Sequence, residues 1–219
     1  MNSCDVLVDA AGELLEGVLT LPPDAGALVL FAHGSGSSRF SPRNKRVAEQ
    51  LNDAGFGTLL FDLLSADEHR ADQMTREYRF DIPLLAGRLS AALDWAAAEA
   101  TTAGLRYGLF GSSTGAAAAL IAAAERLQLA RAVVSRGGRP DLAGDALPHV
   151  RAPTLLVVGD RDTEVIQLNR EAAERMNNKP KLELVPGATH LFEEPGTLDL
   201  VVQRAIDWFR RYLVQARRP

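Results

Sequence analysis

Cysteine is nearly missing from this chain. The single Cys4 cannot form an internal disulfide, and such sparse use points to a cytoplasmic setting. Linker-like tracts are also missing: no Ser/Gly run, proline-rich stretch or long block of one charge divides the 219 residues, so one domain spanning 1–219 is expected. No apolar run approaches the roughly 18 residues needed to span a bilayer. The longest, GAAAALIAAAE, is mostly alanine. The start, MNSCDVLVDAAGELLEG, lacks the apolar core behind a basic end that marks a signal peptide. Positive charge is not in excess: 24 Lys and Arg stand against 28 Asp and Glu. Neither a nucleic-acid partner nor a membrane surface is therefore expected. A homodimer is left open.

What is present alternates. DVLVD and ELLEGVLTL flank the turn AAG and read as antiparallel strands. From residue 27 onward, short and largely apolar runs appear at 27–32, 58–61, 105–110, 132–134, 154–158 and 182–185, broken by charge only at Arg106 and Glu183. Runs of this kind suit strands covered on both faces, as in parallel sheets. Between them lie helical stretches. SPRNKRVAEQLNDAG has Ser41 as N-cap, Pro42 in the first turn and Gly55 as a stop. IPLLAGRLSAALDWAAAEA repeats Leu85, Leu89, Leu93 and Ala96 near helical spacing, and TEVIQLNREAAERM reads as another helix. The last helix carries Leu198, Val201, Val202, Ala205, Phe209, Tyr212 and Leu213 on one stripe. The expected class is α/β: about eight strands, mostly parallel, with helices on both faces and antiparallel strands at the start. Ligands of such sheets bind at the carboxyl ends of the strands.

Reactive residues gather at those ends. HGSG (33–36), GSSTG (111–115), GDRD (159–162) and PGATH (186–190) each follow a strand. GSSTG fits G-x-S-x-G, in which a sharp strand-to-helix turn lifts the central Ser113 above the sheet. Gly111 and Gly115 remove side chains that would collide with the neighbouring strand and helix. A serine hydroxyl needs a base. Of four histidines, His69 lies in a charged stretch, His149 precedes Pro153 and His33 opens a turn. His190, between the last strand and the last helix, is the expected base. Asp162 is favoured as the carboxylate that orients it, with Asp160 the alternative. For the oxyanion, one amide is that of Thr114. The other comes from the loop after His33–Gly34, with Ser35 favoured and Gly36 the alternative; Gly36 is also a candidate substrate contact.

With HGSGSS, GSSTG, VVGDRD and PGATHLF in place, the chain resembles an α/β-hydrolase of the dienelactone-hydrolase-related branch over roughly residues 27 to 213. The resemblance implies Ser113 as nucleophile, Asp162 as acid and His190 as base. Dienelactone hydrolases proper carry cysteine at the nucleophile position. Serine there points to general ester hydrolysis, with thioesters or lactones as alternatives on the same triad. A haloalkane dehalogenase is excluded, since it needs an acidic residue at 113.

The same residues have plainer uses. GSSTG could serve close packing, His190 could bond backbone, and Asp162 could cap the helix that follows it. A binding protein on a hydrolase fold is the alternative class, although such scaffolds normally lack a triad member. His33 is assigned to bracing the oxyanion loop, with contact to substrate as its second use. Arg39 and Arg136 are candidates for holding an anionic substrate group, against the plainer expectation that the basic residues Arg39, Arg43, Lys45, Arg46, Arg136 and Arg139 pair with carboxylates such as Asp62, Glu77 or Asp81. The segment Leu63–Asp81 is the longest insertion, about twenty residues, so no large lid is expected. A small, soluble, short-chain ester is the expected substrate and partner, with no metal or organic cofactor.

Overall fold

The first turn sets the first pairing. Ala11 and Gly12 take φ of 60° and 93°, the left-handed pair a tight hairpin requires. Asp9 Oδ1 accepts the Gly12 N–H at 2.8 Å. Across this turn β1 (Asn2–Ala10) and β2 (Glu13–Leu21) run antiparallel. A computed structural model describes residues 2–214.

Six further strands complete one sheet: β3 (Ala27–Ala32), β4 (Gly57–Phe61), β5 (Arg106–Ser112), β6 (Ala130–Arg136), β7 (Thr154–Gly159) and β8 (Lys181–Val185). Their order is β1-β2-β4-β3-β5-β6-β7-β8, antiparallel through β2–β4 and parallel from β4 to β8. The chain winds one way from β3 to β4 and the other way from β5 onward. The carboxyl ends of β3 and β5 thus flank the switch point, where an open α/β sheet leaves a crevice.

Both faces of the inner parallel strands are apolar, which explains their apolar runs; β8, at the edge of the sheet, is covered on neither face over most of its length and carries Lys181 and Glu183. Val29, Phe31, Phe110 and Val134 turn to α1 (Pro42–Asp53) and α6 (Thr197–Leu213), meeting Val47, Leu51, Val201 and Phe209. Leu28, Leu30, Leu109 and Val133 turn to α3 (Ile82–Ala98) and α4 (Thr114–Glu125), meeting Leu89, Leu93 and Ala118. Each large side chain so buried contributes about 1.5–3 kcal/mol relative to leaving it in water. The alanines of α4 let this helix lie close against both sheet and α3.

Two segments hold more structure than their sequence suggests. The insertion after β4 folds as α2 (Ala66–Thr75) and a 3₁₀ turn (Tyr78–Phe80). Ser65 and Glu68 form a reciprocal cap at its start, Glu68 Oε2 accepting the Ser65 N–H at 2.8 Å. Residues Pro140–His149 form a 3₁₀ stretch kinked at Gly144, which packs against α4 and α5 (Thr163–Arg175).

Candidate active site

β5 runs two residues further than its apolar run, through Gly111 and Ser112, and the backbone then reverses at Ser113. Ser113 takes φ 51° and ψ −124°, a strained conformation for a residue with a side chain. Its neighbours hold it there. Its N–H meets Arg136 O at 3.4 Å, and its carbonyl accepts from Ala116 N at 3.1 Å and Arg139 N at 3.0 Å. A Cβ on Gly115 would lie 2.2 Å from Ala32 O, and one on Gly111 would lie 2.5 Å from Ala116 Cα. Only glycine allows the elbow to press against β3 and α4.

His190 is delivered by the loop after β8. Asp160 Oδ1 accepts the Gly187 N–H at 2.8 Å, Arg161 N donates to Ala188 O at 3.0 Å, and the Glu194 carboxylate accepts the Thr189 N–H. Hydrogen bonding at Thr189 holds the Glu194 carboxyl below the ordinary range. Asp162 Oδ2 lies 2.6 Å from His190 Nδ1. As a carboxylate it can only accept there, so Nδ1 is the donor and Nε2 takes no part in that bond. Asp162 occupies the N-cap position of α5, yet its side chain makes no capping bond. It serves the imidazole, while Asp160 serves the loop.

Ser113 and His190 line one cleft of about 260 Å³, together with Gly34, Ser35, Ser112 and Arg136. Thr114 opens α4, and its amide and that of Ser35 find no acceptor among the described residues. The peptide joining Gly34 to Ser35 is pinned. The Gly34 carbonyl accepts from Ser37 N at 3.1 Å and from His33 Nδ1 at 3.0 Å. His33 Nε2 in turn accepts the Leu63 N–H at 3.1 Å. Both ring nitrogens are thus occupied and the side chain is buried. Burial depresses the imidazole's pKa, outweighing the Gly34 bond and the charge of Asp62, which raise it.

Two expected substrate contacts stand outside this cleft. Arg39 is drawn away by opposite charge: it pairs with Asp62 and, at 2.5 Å, with Glu16. It lines a neighbouring cleft of about 530 Å³ with Phe40, Leu64 and His69. Gly36 is not part of the cleft lining, and a Cβ there would come 3.0 Å from Arg79 Nη1. Among the described residues, Asp62 is the one of the three carboxylates named above that pairs with the basic residues, and Arg139 pairs with Asp141. Arg43 pairs with Glu193 and Arg46 with Asp199. Arg43 and Ser41 also line the Ser113 cleft, a position that periodicity cannot signal. Among the described residues, no group of three or more His, Cys, Asp or Glu side chains comes together to hold a metal ion, and no helix is long and apolar enough to cross a membrane.

A strained serine at a switch-point crevice, with a histidine–carboxylate pair on the same edge, defines the class. Residues 25–212 match the model of the alpha/beta hydrolase domain family, and the chain belongs to that family. Its fold matches a crystal structure of dienelactone hydrolase from Anabaena variabilis ATCC 29413, with TM-score 0.95, 54% identity, and 97% of this chain and 98% of that one covered. Est1E from Butyrivibrio proteoclasticus shares the fold at TM-score 0.79 and 18% identity, covering 96% and 99%. A Mycobacterium tuberculosis protein from strain H37Rv, whose name assigns it to the phosphoribosyl transferases, is 55% identical over 209 residues. That match takes in 95% of this chain and 46% of the other, so the chain spans about half the length of that relative.

Proposed function

We propose that this hydrolase cleaves small carboxylic esters with short acyl chains through an acyl-enzyme at Ser113. The observation that carries the reading is the 2.6 Å His190–Asp162 pair on the same cleft as a serine held at φ 51°. Ser113 Oγ attacks the carbonyl carbon and His190 Nε2 takes its proton. The developing oxyanion is received by the amides of Thr114 and Ser35, and pinning of the Gly34–Ser35 peptide supports that role for Ser35. His190 then protonates the leaving alcohol, and water repeats the sequence on the acyl-enzyme. Asp162 holds the productive tautomer, and His33 acts as a brace. A cleft of about 260 Å³ favours short acyl chains over long ones. A cytoplasmic setting fits the lone Cys4.

A lactone is the second reading, supported by the name of the 54% identical Anabaena variabilis protein. A thioester would use the same groups. The phosphoribosyl transferase name belongs to a protein about twice this length and adds no step here.

Hydrolysis of p-nitrophenyl acetate, butyrate and octanoate by wild type and Ser113→Ala tests the reading. Wild type should favour acetate and butyrate and bind a fluorophosphonate covalently. The variant should lose at least about 10⁴ in kcat and take no label. Activity surviving Ser113→Ala would refute the assignment.

A further inference from the structure

A charge in the cleft has no counterpart. Arg136 ends β6, in register with Ser112 on the adjacent strand, one residue before the proposed nucleophile. The residue is only 7% exposed, yet among the described residues it pairs with no carboxylate. A guanidinium has five N–H donors. Among the described residues Arg136 uses one, from Nη2 to Asn44 Oδ1 at 3.3 Å, and its buried Nε finds no acceptor. Burial and, second, the charge of Arg43 push its pKa down to about 10, so it remains a cation at neutral pH. Arg43 stands on the same cleft, and its own partner Glu193 is largely exposed. No acidic side chain lines that cleft. The amino end of α1 opens there as well, through its cap Ser41, adding positive dipole.

Leaving a buried cation unpaired beside a second cation is costly. The cost is offset when an anion from outside occupies the space between them. We propose that Arg136, assisted by Arg43, is the specificity-determining group for substrates that carry an anionic oxygen group, carboxylate or phosphate, within a few bonds of the reacting carbonyl. The inference deepens the esterase reading and rests on it for the word substrate. The anion site itself stands on the unpaired guanidinium.

The first arm compares monoethyl succinate with ethyl butyrate, which have similar reach and differ in charge. Wild type should prefer the anionic ester by about tenfold or more in kcat/KM, as a charge-assisted contact implies. In Arg136→Gln that ratio should fall towards one. Succinate and inorganic phosphate, tested as competitive inhibitors at constant ionic strength, separate the two chemistries: the better competitor names the group. A wild-type ratio of one or less, with no competition by either anion, overturns the proposal. The second arm does not need turnover. Succinate or phosphate should raise the Tm of wild type and leave that of Arg136→Gln unmoved at constant ionic strength. If neither ester is cleaved but this shift is present, the anion site stands and the esterase reading falls. If no shift is seen and neither anion competes, the site falls. Should Arg136→Gln not fold, Arg43→Gln, at a more exposed position, must diminish both the preference and the shift.

Discussion

Ser113 bears a strain that its neighbours enforce. A non-glycine residue at φ 51°, ψ −124° costs on the order of 1–3 kcal/mol. Glycine adopts that conformation without the Cβ penalty. Ser113→Ala keeps the Cβ and the strain, whereas Ser113→Gly loses only the strain's cause. Urea unfolding should therefore find Ser113→Gly more stable than Ser113→Ala by about 1 kcal/mol, with both inactive. An alanine variant equal to or above the glycine variant would mean that the turn is relaxed. His33 shows the opposite economy. It is chemically able to titrate, but its two ring bonds and its burial commit it to holding one peptide.

At the scale of elements, α2 and the 3₁₀ turn after it hang on one carboxylate. Asp72 is almost wholly buried and accepts from Tyr78 N at 3.0 Å, Arg79 N at 2.9 Å and Arg79 Nε at 2.6 Å. Burial alone would raise its pKa. The Arg79 backbone and side-chain bonds, the Arg79 charge and the Tyr78 amide outweigh it, and the carboxyl lies below its ordinary value. A depressed folded pKa stabilises above the unfolded value near 4 and loses that contribution as pH falls through the folded one. Hydrogen exchange over residues 63–81 should accelerate at least about tenfold in Asp72→Asn at neutral pH, while β5 and β6 keep their protection. Equal acceleration throughout the sheet would show that this insertion is not a separate unit of stability.

The whole molecule is organised by a sheet shared between two apolar layers. Trp95 on α3 packs against one layer and Trp208 on α6 against the other. Because every strand from β3 to β6 contributes to both, neither layer can persist once the sheet is lost. Trp95→Phe and Trp208→Phe, each leaving one fluorescent reporter, should give urea transitions that coincide with each other and with far-UV circular dichroism. Separated midpoints would mean that the layers fold as distinct units. Much of this architecture was legible in the residues. The apolar runs mark the six strands β3 to β8, with only Leu105 falling outside its strand, and Ser41, Pro42 and Gly55 bound α1 where capping chemistry requires. The elbow glycines and the order of serine, aspartate and histidine were likewise visible, because they answer to local backbone and chemical needs. The sequence by itself therefore determined the class of fold and singled out a serine and a histidine that the fold brings to one cleft. Tertiary structure alone decided between neighbours: Asp162 turns to His190 while Asp160 ties the loop, and Arg39 is spent on Asp62 and Glu16 while Arg136 is left unpaired in the cleft. The reason is physical. Which charges meet depends on strands and helices far apart in the chain, and spacing along a sequence carries no measure of that distance.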